Sequence, residues 1–368
     1  MKKKLTGIHP LLWMFFLFIG GLTIADLLMP DKDFSELENR YLKQNPAFTM
    51  ASLIDNSYTM NYESYVNDQF VGRDSWISLK SKSESVLLKV ENNGIVYGKN
   101  DRLFEKYTSY DAEQLAKNLA FLEEFAAGKE NVTFAVVPSG YMLNQEDLPA
   151  GLKLVDQKAV MDQMPAQVPS AHWMDVLPVL EAGNDGDLYY RTDHHWRVHA
   201  AYLFYEAYCR EKGMEPVAEA DLPLREVEDF YGTYFSKCKN TNIPPDTLTF
   251  YDIPVAEVTI DGQSRDNWYD EAALSSRDKY GAFLYGNGGL TVLKNGDGGR
   301  KLLLVKDSYS NALAPLFLNN YDEVWIVDLR SFPAGMQDLC ATQFFQNILV
   351  LHNFTNLCPD TNFYRLKY

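Results

Sequence analysis

The sequence predicts an α/β fold, a parallel sheet with helices on its faces. Three observations carry that prediction. A helical pattern starting at Asp111 runs straight into a short, almost wholly apolar stretch, Val132 to Val137, which ends at Pro138-Ser139-Gly140. A second helical pattern runs from about Arg197 to Lys212 and stops at Gly213. The last third then alternates: strand from Leu302 to Val305, helix from Ser310 to Leu318, strand from Val324 to Val327, strand from Ile348 to Leu351. Short continuous apolar runs of this kind suit strands covered on both faces, as in a parallel sheet.

Taken in chain order, Lys2, Lys3 and Lys4 precede an uncharged run from Leu11 to Ala25. A basic tip before such a run suits either a secretory signal or a single anchor helix. The bulky Trp13, Phe15, Phe16 and Phe18 and the lack of a clear cleavage site favour the anchor, residues 1–30. The positive-inside rule then puts everything after it outside the cytoplasm, at the cell membrane as a single-pass protein. Residues 31–57 read as a stalk, with Phe34 and Tyr41 as docking points, and 58–368 as the body, of which 58–110 forms a flanking layer. Tyr62, Tyr65, Val66, Trp76, Leu79 and Val86 recur at helical spacing across 58–90. Gly94 to Phe104 reads as a hairpin turning at Gly98-Lys99-Asn100-Asp101. Asp111 with Gln114 is a capping-box signature, and Leu115, Leu119, Leu122 and Phe125 form the apolar stripe behind it. The stretch 214–295, rich in Tyr, Asp and Asn, reads as loops and edge strands.

Composition excludes several classes. The 368 residues carry 34 basic and 50 acidic side chains, a net charge of −16, and 46% are apolar. That is a folded, acidic chain, neither low-complexity nor polytopic. Removing the three N-terminal lysines leaves −19 on the rest. So acidic a surface makes nucleic acid an unfavourable partner, because phosphate binding needs dense basic charge. Cys209, Cys238, Cys340 and Cys358 fall as two sequence-local pairs, each able to close a disulfide in an oxidising compartment, with three connectivities open. No CxxC spacing suggests zinc.

The densest polar cluster is Arg191-Thr192-Asp193-His194-His195-Trp196-Arg197-Val198-His199, which holds three of the chain's six histidines. Well after it, the apolar run from Leu302 leads directly into Lys306-Asp307-Ser308-Tyr309. A serine at a strand-to-helix junction lies at the C-terminal edge of a parallel sheet, where ligands bind in open α/β folds. The unpaired N–H groups there suit a developing oxyanion. Asp193, His195 and Ser308 therefore make a candidate triad: a base for the hydroxyl, and a carboxylate two residues before it to fix the tautomer. His195 and His199, four apart, with Asp193 could alternatively face a metal, but the zincin glutamate between them is missing, and no metal is expected.

Thr192-Asp193-His194-His195-Trp196 resembles the motif for which the DHHW family is named, and Lys306-Asp307-Ser308-Tyr309 its partner serine block. Phe34-Ser35-Glu36 with Glu38-Asn39-Arg40, Tyr65 to Asp68 with Phe70 and Arg73, and Val327-Asp328-Leu329-Arg330 extend the resemblance over most of the chain after the anchor. The family is similar to the SGNH-hydrolase-like (flavodoxin-like) domains of the alginate O-acetyltransferase group, which modify exported polysaccharides. There an Asp-x-His pair precedes the serine, a circularly permuted order. The resemblance implies Ser308 as nucleophile, His195 as base and Asp193 as orienter. It also implies oxyanion or substrate contacts from the Ser308 N–H, Asn353, the Gly232 N–H and Arg330. Tyr309 and Trp196 join these as substrate contacts, Trp196 either as a stacking face or packed beneath the loop.

These residues lead us to expect an extracytoplasmic O-acyltransferase, an O-acetyltransferase acting on a cell-surface polysaccharide through a serine acyl-enzyme, without bound cofactor. Its acyl donor would be delivered by a polytopic membrane acyltransferase. The alternatives are a carbohydrate esterase or deacetylase using the same triad, and a non-catalytic glycan-binding envelope module.

Overall fold

The structure is a computed structural model that describes residues 10–87, 89–296 and 298–368. Lys2 to Lys4 lie outside the described residues. The chain divides into two units, one running to Lys89 and including Lys239–Asn242, the other comprising Val90–Cys238 and Ile243–Tyr368.

The first unit opens with a helix, Pro10–Leu28, of mean hydropathy 2.1 and with no residue buried, a candidate membrane anchor or signal sequence. Two residue pairs, Phe34–Ser35 and Arg40–Tyr41, form a short antiparallel ladder. The expected helix over 58–90 is two helices, Ser57–Gln69 and Arg73–Val86. They part at Gly72, whose φ of +68° a side chain would resist. Ion pairs hold this unit together. Arg40 forks onto Asp68 at 2.8 and 2.6 Å, Arg73 reaches Glu38 at 2.5 Å, Lys239 also reaches Glu38, and Ser35 Oγ donates to Asp74 at 3.1 Å. The Arg40 guanidinium, outweighing the effect of burial, holds the Asp68 carboxyl down to about 2.

The second unit is built on an eight-stranded sheet. Its strands are β1 (Val132–Val137), β2 (His172–Met174), β3 (Glu257–Ile260), β4 (Gln263–Arg265), β5 (Leu290–Lys294), β6 (Lys301–Lys306), β7 (Glu323–Val327) and β8 (Asn347–Asn353). They lie in the order β4-β3-β5-β7-β6-β8-β1-β2. The five strands from β7 to β2 are mutually parallel. Counted from β6 through the C-terminus and on to β1, their order is 2-1-3-4-5, that of the flavodoxin-like sheet in circularly permuted form. The switch point falls between β6 and β8, where the crossovers leave in opposite directions.

Every residue of β1 is buried, which is why it reads as one apolar run. The helix Ala112–Ala126 places Leu115, Leu119, Leu122 and Phe125 in the same core. Asp111 caps it by accepting from the Gln114 N–H at 2.8 Å, but the Gln114 side chain turns to Asn118 instead of completing the box.

The structure adds detail in three places. The sheet is mixed: β3, β4 and β5 pair antiparallel and join the parallel strands through β5 and β7. The predicted helix from Ser310 to Leu318 is two 3-10 turns, Ser308–Ser310 and Ala314–Asn319. Pro315 lacks the N–H that a continuous α-helix needs. A single tight turn carries little macrodipole, so any anion site there depends on individual N–H groups. No disulfide forms among the described residues. Cys209 Sγ points to Asn320 Oδ1 at 3.4 Å and Cys238 Sγ to the Phe235 carbonyl at 3.6 Å, each satisfied within its own packing.

Candidate active site

Residues 191–196 form an irregular loop leading into the helix Val198–Glu211, and Asp246 shapes it from below. The Asp246 carboxylate takes the Thr192 N–H and hydroxyl at 2.8 and 2.7 Å and the Arg191 Nε at 3.1 Å. Tyr189 and Trp196 bridge across the loop's ends. The loop thereby turns Asp193 and His195, both buried, toward the end of β6.

There the geometry closes. Asp193 Oδ1 lies 2.6 Å from His195 Nδ1, and His195 Nε2 lies 2.8 Å from Ser308 Oγ. A carboxylate can only accept, so Nδ1 carries the proton and Nε2 is left to accept from the serine hydroxyl. Asp193 also accepts from the His195 N–H at 2.9 Å and, through Oδ2, from the Thr233 N–H at 2.7 Å. Burial alone would raise its carboxyl, but the neighbouring His194 and His195 and these donors hold it well below the usual range. It stays ionised throughout the pH range in which imidazole titrates.

The His195 ring packs against two others. Tyr280 stacks on one face at 3.7 Å between centroids and 9° between planes, and the His194 ring approaches at 3.9 Å. Tyr280 also donates its hydroxyl to the Ser308 carbonyl at 3.1 Å. Burial pushes its phenol far up, so it remains a donor. Burial and the adjacent His195 bring His194 down to about 4, leaving it neutral near pH 7. Asp193 and His194 also line a small cavity of about 10 Å³, bordered by Tyr141, Tyr189 and Tyr234 and near the size of one water.

Asp307, the residue before the serine, caps the turn. It accepts from the Tyr309 N–H at 3.0 Å, the Asn353 N–H at 2.8 Å and the Asn356 amide at 2.8 Å. The Ser308 N–H, by contrast, meets no acceptor among the described residues and stays available at the turn's open end. Two residues before the serine, Lys306 is buried and pairs with Asn311 at 2.8 Å, Asn287 at 3.2 Å and Asp328 at 3.4 Å. A buried ammonium needs such partners to be tolerated. Here they fasten the serine turn to the end of β7.

The other anticipated contacts have different placements. Asn353 is wholly buried, its amide donating to the Val137 carbonyl at 3.0 Å and its oxygen accepting from Thr355. It ties β8 to β1 and caps the helix Phe354–Leu357. The Gly232 N–H goes to Thr192 Oγ at 3.1 Å, so it is not a free oxyanion donor. A β-carbon at Gly232 would lie 2.2 Å from that of Asp193, so the glycine is there to let the two chains approach. Trp196 is buried with its indole N–H on the Tyr309 carbonyl at 2.8 Å, and Tyr309 is buried with its hydroxyl on the His194 carbonyl. Neither offers a stacking face. Arg330 is half-exposed and engaged by Asp328 at 2.8 and 2.5 Å.

Donor atoms of Asp193, His194 and His195 cluster closely enough for a cation, yet both His195 nitrogens are already taken by Asp193 and Ser308. His199 is elsewhere, 2.7 Å from Glu219. Sequence reasoning missed Tyr280, the Thr233 N–H and Asn356. Thr233 and Asn356 had a signal, through their places beside Gly232 and in the asparagine block of Asn353; Tyr280 had none.

Comparison with known proteins agrees with this fold. Residues 157–327 match the family model described as DHHW protein. The crystal structure of a DHHW family protein from Eubacterium siraeum superposes with a TM-score of 0.66 at 23% identity, covering 76% of this chain and 96% of that one. Bacillus cereus PatB1 with a sulfonyl adduct gives 0.62 at 18% identity, over 74% of this chain and 98% of that one. No curated protein matches significantly. The chain thus carries the DHHW family sequence across residues 157–327, on the fold of a solved member of that family.

Proposed function

We propose that this protein is a serine O-acyltransferase of the cell envelope, transferring an acetyl group to a hydroxyl of a polysaccharide. The observation that carries this reading is the hydrogen-bonded relay from Asp193 through His195 to Ser308, at 2.6 and 2.8 Å, beside the switch point of the sheet. His195 Nε2 takes the Ser308 proton as Oγ attacks the acyl carbonyl carbon, and the Ser308 N–H meets the oxyanion. The tetrahedral adduct collapses, and the donor's leaving oxygen departs with the proton from His195. A sugar hydroxyl then gives its proton to His195 and attacks the acyl-serine, and that proton returns to Ser308 Oγ. Asp193 holds the ring in the required tautomer and stabilises its charged form.

The same relay serves hydrolysis if water replaces the sugar. A buried base next to a partly buried serine suits either acceptor. The acyl donor would arrive from a membrane acyltransferase, and the Pro10–Leu28 helix would hold the enzyme on the outer side of that membrane. The likeness to a PatB1 structure bearing a sulfonyl adduct supports sulfonyl fluorides as a probe. A sulfonyl fluoride should add one sulfonyl group per chain, located at Ser308 by peptide mass, and Ser308→Ala should take none. Equal labelling of the two proteins would overturn the reading. Acetyl release from a p-nitrophenyl ester, with and without an oligosaccharide acceptor, separates transfer from hydrolysis.

A further inference from the structure

The first unit has almost no apolar interior. Leu42 is the one apolar side chain buried among its described residues, while large apolar side chains from Phe48 to Leu87 face outward. Ile54 is 78% exposed; on the helix Arg73–Val86, Trp76, Leu79 and Val86 are 44%, 55% and 81% exposed. Spacings of three and seven put those three on one stripe. Single exposed apolar residues are ordinary, but a layer this dense marks a covered surface.

What covers it is indicated by where the stripe begins. Asp26, near the end of Pro10–Leu28, accepts from the Val71 N–H at 2.9 Å, and the Tyr65 hydroxyl donates to Asp31 at 3.1 Å. Met29 and Pro30 share one depression with Phe70, Val71 and Gly72. The amphipathic helix therefore starts beside the end of the apolar span.

We propose that the layer formed by residues 48–87 is seated in the lipid interface, with the Trp76–Leu79–Val86 stripe in the boundary between headgroups and acyl chains. Amphipathic helices bind there through their apolar face, and tryptophan favours that depth. The exposed Lys80 and Lys82 on the same helix can extend toward the headgroups. The proposal rests on reading Pro10–Leu28 as a retained anchor, and is independent of the chemistry at Ser308.

The test uses the full chain, one copy per nanodisc of phosphatidylcholine and phosphatidylglycerol. Cys209, Cys238 and Cys358 are buried, so Cys340→Ser supplies a background for single nitroxide labels. Labels go at Ile54→Cys and Leu79→Cys, at Leu17→Cys within the span, and at the exposed Glu113→Cys as an aqueous reference. Oxygen should out-compete a water-soluble nickel chelate in relaxing labels 17, 54 and 79, with the reverse at 113. Nickel dominance at 54 and 79 with oxygen dominance at 17 would overturn the interfacial seating and leave the anchor standing, the pattern of a face open to water in the absence of a covering protein. Nickel dominance at 17 as well would overturn both. Brominated lipid should quench wild-type emission more than that of Trp76→Phe; equal quenching would count against the proposal without any label present.

Discussion

Gly232→Ala is the sharpest perturbation of the relay, because it adds one methyl group at a distance from every reacting atom. The new carbon would fall 2.2 Å from Asp193 Cβ, 2.4 Å from its Oδ2 and 2.6 Å from its Cγ. Carbon atoms do not approach so closely, and neither partner has slack. Asp193 is held by His195 Nδ1 and by two backbone N–H groups, and the Gly232 N–H is held by Thr192. Overpacking of this kind costs about 1–3 kcal/mol of stability. The displaced carboxylate would also loosen a charged hydrogen bond to His195 worth about 1.5–3 kcal/mol, a roughly 10- to 150-fold slower attack by Ser308. The assay is the rate of sulfonyl labelling at Ser308, followed by intact mass in wild type, Gly232→Ala, Asp193→Asn and the double variant. Because both single changes act through one carboxylate, the double should be little slower than the slower single. Labelling of Gly232→Ala within about twofold of wild type would refute the argument, provided its circular dichroism is native. Losses that multiply in the double variant would refute it as well.

Two further outcomes rest on the same geometry. Tyr280→Leu removes the ring stacked on His195 and should slow Ser308 labelling by about 1 kcal/mol, roughly fivefold; Tyr280→Phe, which keeps the ring and loses only the bond to the Ser308 carbonyl, should recover part of that loss, and equal rates for all three proteins would exclude a positioning role. His194 has its folded value lowered from 6.5 to about 4, so between these values the unfolded chain binds a proton that the folded chain does not, and acid favours unfolding. Stability from this group should be intact above pH 6.5 and fall as pH drops toward 4, by about 3 kcal/mol in total. His194→Asn should flatten the urea midpoint between pH 7 and 5, a window above the carboxylate range where Asp193 contributes little; an unchanged slope would place the pH dependence elsewhere.

Burial decides how much of the fold could be read in the sequence. β1, β6, β7 and β8 were visible because strands covered on both faces become nearly continuous apolar runs, as in Val132–Val137 and Leu302–Val305. The antiparallel wing was legible only as edge strands somewhere in 214–295: Glu257, Gln263 and Arg265 face solvent, and short half-polar strands cannot be told from loop one by one. Asp193, His195 and Ser308 could be named because their residue types, the Asp-x-His spacing and a serine at a strand end each carry chemical meaning. Gly232 was found for the wrong reason, since a sequence cannot show that an N–H is already used or that a neighbour's β-carbon is 2.2 Å away. Tyr280 left no trace, because stacking on a residue 85 positions earlier is purely a property of the fold.

The switch point explains why Asp307, more than Asn353, organises the place where an oxyanion would form. Crossovers leaving β6 and β8 in opposite directions open a crevice above these two adjacent strands, and that opening strips their C-terminal N–H groups of ladder partners. Each stranded N–H then needs an acceptor or becomes a donor for a ligand. One carboxylate, Asp307, satisfies Tyr309 N–H on the β6 side and Asn353 N–H and the Asn356 amide on the β8 side. It therefore spans the crevice and fixes the width between the strand ends. The Asn353 side chain faces the other way, into the Val137 carbonyl at the end of β1. With those donors consumed, the N–H left at the mouth of the turn is that of Ser308, on the residue whose Oγ is 2.8 Å from His195 Nε2. On the proposed chemistry, nucleophile and anion donor would belong to a single residue, its turn capped by Asp307 at the Tyr309 N–H and its carbonyl held by Tyr280.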